Sequence, residues 1–143
     1  MKDALSIAEK ARDHSGVYFA VETLEFLHRG GRIGGAQRFI GTALNMKPVL
    51  ALVDGRVEAV ERVRTKKKAQ ERLLELVAEK TKGKSLVHLA ALHANAPEDA
   101  QALLDQATNE LTTVESMLTE VSPVVGNHAG PGVVGLAYME GVS

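Results

Sequence analysis

Three short segments of the chain carry residue types that can bind an anion. The first is residues 124–132, where three glycines and a proline surround a single histidine, His128. Glycines allow a ligand to approach the main chain closely, and an imidazole can donate a hydrogen bond to a carboxylate. The alternative is a structural turn whose histidine pairs with buried carbonyl groups. The residues alone leave both interpretations open.

The second segment is a run of five cations within residues 62–68. Strand alternation predicts that Arg62 and Arg64 share one face, and the three lysines that follow fall in the first turn of a predicted helix. The macrodipole is positive there, so each lysine is unfavourable by about 0.3–1 kcal/mol. Since a helix N-terminus is also an anion site, one interpretation is a dock for phosphate or for an acidic protein surface. The alternative is a solvated run of charge.

The third segment, residues 29–35, reads R-G-G-R-I-G-G. Glycines that precede a helix can hold an anion. The pattern is neither a Walker loop nor a G-x-G-x-x-G fingerprint. On its own it predicts no particular ligand.

Composition excludes several classes of function. The chain has 143 residues, which predicts one domain over residues 1–143. Without cysteine there is no disulfide, thiolate metal ligand or cysteine nucleophile, and we expect a cytoplasmic protein. A net charge of -1 favours neither nucleic acid nor a membrane as partner, and no apolar run is long enough for a membrane span. No metal-ligand spacing and no G-x-S-x-G motif is present, so we predict no enzyme, no catalytic residue and no metal.

Hydrophobic periodicity predicts an α/β fold, with a mixed β-sheet flanked by helices. The predicted strands are residues 17–21, 46–53, 57–64, 86–92, 114–121 and 133–139. The predicted helices are residues 3–13, a turn at 24–27, 36–45, 65–81 and one that begins near residue 95.

Several details of this fold are also predicted. Asp54-Gly55 predicts a tight hairpin, and Asn95 is expected to cap the helix that follows it. The strand at 86–92 is expected to be covered on both faces, and residues 122–132 are expected to form a loop. The buried stripe of the helix at 65–81 is predicted to be Ala69, Leu73, Leu76 and Val77.

Four segments in order resemble the DegV family of fatty-acid-binding proteins. Residues 24–33 resemble its signature L-x-x-L-x-x-G-G-R-I, and residues 126–132 resemble G-x-H-x-G-P-G. The segments at 41–50 and 63–69 continue the match, so the resemblance covers roughly residues 17–137. It implies the carboxy-terminal domain of a two-domain fold that binds one long-chain fatty acid, with the amino-terminal domain absent from this chain.

The resemblance also implies roles for individual residues. His128 would hold the fatty-acid carboxylate together with hydroxyl groups of the other domain, and Arg32 and Gly130 would belong to the same site. Without those hydroxyl groups we expect reduced affinity. The acyl tail is expected to lie between the sheet and its helices, against Phe39, Ile40 and Leu44. The ligand is then a fatty acid, and no cofactor is expected.

A partner is implied as well. Members of the family present the acyl carboxylate to a fatty acid kinase, and the docking residues map to Arg32, Arg64 and Lys67. Two alternatives remain at this point. One is an interaction module that binds no lipid and self-associates through an uncovered domain junction. The other is a phosphate-binding domain at the basic helix start.

Overall fold

Alternating apolar side chains build one mixed β-sheet, because successive residues of a strand point to opposite faces. The computed structural model describes residues 2–41 and 45–142. The strands of this part of the chain are β1 (Ser15–Ala20), β2 (Lys47–Val53), β3 (Arg56–Val63), β4 (His88–His93), β5 (Glu115–Glu120) and β6 (Val134–Met139). The helices are α1 (Lys2–Asp13), α2 (Glu25–Arg29), a 3-10 helix (Gly34–Phe39), α3 (Lys66–Thr81), α4 (Pro97–Glu110) and α5 (Pro123–Ala129). The predicted α/β class with a mixed sheet and flanking helices is confirmed.

The last strand lies in the middle of the sheet. The strand order is β3-β2-β1-β6-β4-β5, and neighbours are antiparallel except for the parallel pair β4 and β5. Because β6 lies between β1 and β4, the helix that precedes β6 is brought to the helix that follows β1. The contact of α2 with α5 is the consequence.

The predicted hairpin at Asp54-Gly55 is confirmed. Val53 pairs with Arg56, and the two residues between them have φ values of 50° and 77°. Positive φ at both central positions is the pattern of a type I′ turn, whose twist matches that of the flanking strands.

One face of the sheet is covered by α3 and α4. The predicted stripe of α3 is confirmed, since Ala69, Leu73, Leu76 and Val77 are all buried. From α4, Leu103 and Leu104 pack against the same cluster. Burial of each such leucine or valine contributes about 1.5–3 kcal/mol, so this layer forms the main core.

Two predicted elements are wrong, and both lie on the other face. The helix predicted over residues 36–45 is a 3-10 helix that ends at Phe39, after which Gly41 has a φ of 74°. A positive φ interrupts an α-helix. The loop predicted over residues 122–132 contains α5, whose first turn is capped by Ser122 through a 3.3 Å hydrogen bond from the amide of Val125. A serine cap followed by a proline is a strong helix start, and it outweighed the glycines.

Two further predictions, on β4 and on the start of α4, are wrong. β4 is not covered on both faces, because burial alternates along it and only Leu89, Ala91 and His93 are fully buried. Asn95 does not cap α4. It has a φ of 53°, and the amide of Ala96 donates instead to Nδ1 of His93 at 3.2 Å.

Candidate functional site

An open apolar groove lies on the face of the sheet opposite α3 and α4. Its volume is about 610 Å³, within the range of about 300–1,000 Å³ common for ligand pockets. The lining residues come from the sheet, α2, the loop that follows α2, the 3-10 helix, α5 and the hairpin. They are Val17, Phe19, Leu27, Gly31, Arg32, Gly34, Leu52, Gly55, Arg56, Val57, Leu92, Val121, Val124, Val125, His128, Ala129 and Val133.

Strand register explains why the floor of the groove is apolar. Phe19 pairs with Leu50 on one side and Gly135 on the other, and Gly135 pairs with Leu92. Paired residues of neighbouring strands point to the same face. These four positions therefore form one apolar row across four strands, and Phe19 and Leu92 of this row line the groove. At the open end of the groove Leu52 is 47% exposed, so part of this surface has no cover within the described chain.

The charges of the groove all have one sign. Its ionisable lining residues are Arg32, Arg56 and His128, and no lining residue is acidic. Both arginines are exposed. Within residues 2–41 and 45–142 the one side-chain hydrogen bond of Arg32 runs from Nη1 to the carbonyl of Gly30 at 3.4 Å, and neither arginine forms an ion pair. The arrangement suits a molecule with an aliphatic body and an anionic head.

The side chain of His128 is half-buried at the wall formed by α5. Its Nδ1 atom is enclosed, and in the part of the chain that the structure describes the ring makes no hydrogen bond. A Cβ built on Gly30 would lie 2.8 Å from Cε1 of this ring and closer still to Nδ1. The ring therefore packs directly on the backbone of Gly30, in the G-G-R-I segment.

A second contact of a ring with a glycine has the two motifs exchanged, with the ring from the G-G-R-I segment and the glycine from the segment of His128. A Cβ built on Gly130 would lie 2.5 Å from Cδ2 of Phe26. Gly130 follows α5, and Phe26 lies in α2. Each of the two motifs thus supplies a ring and a glycine, and the two contacts fix α2 against α5. Gly130 supports the site through Phe26, and it is not among the residues that line the groove.

Phe39 and Ile40 lie elsewhere. They line a separate depression of about 550 Å³, where the guanidinium groups of Arg38 and Arg62 lie 5.2 and 5.0 Å from the centre of the Phe39 ring. The structure therefore does not bring these two residues together with His128. Leu44, the third residue predicted to contact an acyl tail, lies outside the described residues.

The lysines at the start of α3 are less unfavourable than predicted. Nζ of Lys66 lies 2.5 Å from a carboxylate oxygen of Asp99 and 3.8 Å from one of Glu22. The hydrogen bond to Asp99 raises the pKa of Lys66 above its ordinary value. Lys68 pairs with Glu71 at 3.2 Å. Carboxylates of the protein thus neutralise two of the three lysines.

Arg64 and Lys67 differ from these neighbours. Both are exposed, and neither side chain has a hydrogen bond or an ion pair within residues 2–41 and 45–142. They leave uncompensated positive charge beside the N-terminus of α3. Arg32 belongs instead to the groove.

Sequence reasoning identified His128 and Arg32 but missed most of the groove. The missed residues include Arg56, Leu52 and the valines of α5. The sequence held one usable signal for Arg56. It directly follows Asp54-Gly55, and a hairpin tip presents its side chains to solvent. Among the described residues no cluster could hold a metal ion, and no helix is both long and apolar enough to cross a bilayer.

Fold and groove together define a class, an α/β domain with a one-sided apolar binding groove. The sequence model of the DegV family, described as a family of uncharacterised proteins, matches residues 1–141. The chain belongs to the DegV family. A DegV domain-containing protein of Streptomyces coelicolor is 42% identical over 135 residues, which cover 94% of this chain and 48% of that protein.

Solved structures show the same fold. A fatty-acid-binding DegV family protein from Thermus thermophilus has a TM-score of 0.93 and 39% identity, over 98% of this chain and 50% of that one. The fatty-acid-binding protein DegV from Bacillus subtilis has a TM-score of 0.82 and 31% identity, again over 98% and 50%. The chain spans about half the length of the relatives it matches.

Proposed function

We propose that this chain binds a long-chain fatty acid, with the acyl tail in the groove and the carboxylate at His128. The observation that carries the proposal is the composition of the groove, in which an apolar floor meets ionisable side chains that are all basic. A fatty acid has the complementary chemistry, since it joins a long hydrocarbon to one anionic group. The descriptions of the Thermus thermophilus and Bacillus subtilis proteins as fatty-acid-binding support it further.

The tail supplies most of the binding free energy. Each buried methylene contributes about 0.8 kcal/mol, so about ten methylenes correspond to roughly 8 kcal/mol before the costs of association are subtracted. The groove is open along Leu52 and α5, where Val124 and Val125 are exposed. A tail lying there is covered on one side only. Affinity of this chain is therefore lower than that of a fully enclosed site.

The head group gives the orientation. Nδ1 of His128 is enclosed against Gly30, so a carboxylate meets the ring at Nε2. Arg32 lines the same groove and has no acidic partner within the described residues. A guanidinium near a carboxylate strengthens a hydrogen bond through charge, and Arg32 serves that role here.

We further propose that the bound carboxylate is presented to a fatty acid kinase. Arg64 and Lys67 are the exposed cations at the start of α3 whose charge the described residues leave uncompensated. An acidic surface on a kinase would pair with them. Exposed pairs of this kind steer association more than they add affinity.

The test is extraction of the purified protein with organic solvent, followed by mass spectrometry. We expect a long-chain fatty acid close to one equivalent per chain, or stoichiometric uptake of palmitate after lipid removal. A protein that is recovered empty and takes up no palmitate contradicts the proposal.

A second candidate is an interaction module that self-associates. The observation that favours it is the exposed apolar surface along Leu52, Val124 and Val125, because contiguous exposed apolar surface often marks an interface. Sedimentation velocity separates the two candidates. A dimer that dissociates on adding palmitate supports lipid binding at this surface, and a dimer indifferent to palmitate supports the module.

Phosphate binding at the start of α3 has less support. Lys66 and Lys68 already pair with carboxylates of the protein, so a phosphate would have to displace those carboxylates.

A further inference from the structure

We propose that Gly30 is a positioning residue for His128. By enclosing Nδ1 of the ring, Gly30 selects the neutral tautomer whose proton lies on Nε2, and His128 becomes a hydrogen-bond donor towards the groove. The inference deepens the proposed function, and its consequence for ligand recognition rests on that function. The geometry on which it stands is independent of any ligand.

The first step is that the ring, and not the backbone, requires glycine at position 30. Gly30 has φ -79° and ψ -1°, a right-handed conformation that any residue adopts. Its amide donates to the carbonyl of Phe26 at 2.9 Å, as an ordinary helix end does. A side chain at this position meets the imidazole of His128 before any other group of the described chain. Glycine is needed here because it leaves room for that ring.

The second step concerns the proton. Nδ1 of His128 is enclosed and has no hydrogen-bond partner within residues 2–41 and 45–142. A proton on Nδ1 would create a buried N–H without an acceptor, and such orphaned donors are rarer in proteins than under-satisfied acceptors. A proton on Nε2 leaves only a lone pair enclosed. The tautomer with its proton on Nε2 therefore has the lower free energy at this position.

The third step is the consequence for recognition. With its proton on Nε2, His128 offers a donor to any head group that reaches it. A carboxylate accepts that bond. An alkylammonium head cannot accept it and would also meet Arg32 and Arg56, which line the same groove. The site then selects acids over amines of equal chain length.

The tautomer is measured directly by long-range nitrogen–proton correlation NMR of the histidine rings. The ligand-free protein is studied at about pH 9, well above the ordinary imidazole pKa of about 6.5. The resonance of His128 is assigned with the His128→Gln variant. We expect the cross-peak pattern of the Nε2–H tautomer. A predominant Nδ1–H tautomer overturns the inference.

The role of Gly30 is tested by Gly30→Ala, with Gly126→Ala as the matched control. Gly126 lies in α5, two residues before His128, and a Cβ there meets its nearest neighbours at an ordinary 3.8 Å. We expect Gly30→Ala to change the tautomer pattern of His128 and to lower the preference for palmitate over methyl palmitate by about tenfold, the equivalent of one hydrogen bond to a charged group. Gly126→Ala should change neither. Wild-type ring patterns in folded Gly30→Ala overturn the positioning role.

Two further observations keep the outcomes separate. If Gly30→Ala does not fold, the wild-type tautomer alone decides, and the double variant Gly30→Ala/His128→Ala should recover folding because it removes the overlapping ring. If the tautomer is as expected but palmitate does not bind to the wild type, the proposed function fails and the inference about the ring stands.

Discussion

Phe26 in α2 lies with its ring against Gly130, the residue that follows α5. This contact joins two segments that are about a hundred residues apart in the sequence. Gly130 also has φ 87° and ψ 163°, a region of backbone conformation that only glycine occupies without strain.

Gly130→Ala should therefore be strongly destabilising. Backbone strain and overlap with the Phe26 ring each cost about 1–3 kcal/mol, so we expect a loss of about 2–6 kcal/mol in the free energy of unfolding, measured by urea denaturation. Gly126→Ala is the control, since alanine within a helix is more stable than glycine by about 0.5–1 kcal/mol. Equal effects of the two substitutions would contradict the ring contact.

The groove can be tested by placing a carboxylate on either face of β2. Leu52 lines the groove and Val53 is the next residue, on the opposite face, with exposed fractions of 47% and 49%. Leu52→Asp should weaken palmitate binding at least about tenfold, which corresponds to about 1.4 kcal/mol, through repulsion and loss of apolar contact. Val53→Asp should leave the affinity within about twofold, a difference that isothermal titration calorimetry resolves. If Val53→Asp weakens binding as much as Leu52→Asp, the tail does not lie in this groove.

The ion pair of Lys66 with Asp99 should give a pH-dependent contribution to stability. Because Asp99 raises the pKa of Lys66 in the folded state, the contribution is complete below the unfolded lysine pKa of about 10.4 and decreases as the pH rises through the folded value. The pair is half-exposed, so it is worth less than about 1 kcal/mol. The stability difference between wild type and Asp99→Asn should be constant up to about pH 10 and should shrink above about pH 10.4.

Glu98→Gln is the control for that series. Glu98 lies in the same first turn of α4 and has no ion pair within the described residues. Its stability difference from wild type should not change over the same pH interval. If the stability difference between Asp99→Asn and wild type is also independent of pH, the ion pair does not contribute to stability.

The uncompensated cations beside α3 should affect a kinase but not the lipid. Arg64→Ala and Lys67→Ala should each slow phosphorylation of bound palmitate by a purified fatty acid kinase, by up to about fivefold, the usual upper worth of an exposed ion pair. Palmitate affinity should be unchanged, because neither residue lines the groove. Lys68→Ala should have a smaller effect, since Lys68 already pairs with Glu71. If all three variants allow phosphorylation of palmitate at the wild-type rate, this surface is not the docking site.

Local patterns predicted the elements whose cause is local. Asp54-Gly55 requires two positive φ values and forms the expected turn, and the apolar stripe of α3 faces the core as its period indicates. The failure at α5 is also local. Three glycines and a proline between residues 124 and 132 suggested a loop, although the cap at Ser122 and the proline after it begin a helix.

The groove could not be predicted in the same way. Its walls depend on β6 lying between β1 and β4, and no residue spacing encodes that insertion. The tail contacts predicted at Phe39 and Ile40 relied on a helix over residues 36–45 that does not form. The pairing of Lys66 with Asp99 and the contact of Gly30 with His128 likewise join residues far apart in the chain.

The most direct measurement compares palmitate with methyl palmitate in the wild type and in His128→Ala. The two ligands share one tail, and the ester lacks the anionic head. A hydrogen bond to a charged group contributes about 1.5–3 kcal/mol. We therefore expect the wild type to favour the acid by about tenfold or more and His128→Ala to lose most of that preference while still binding the ester. Equal affinities of the wild type for acid and ester, or an acid preference that survives in His128→Ala, would contradict the account.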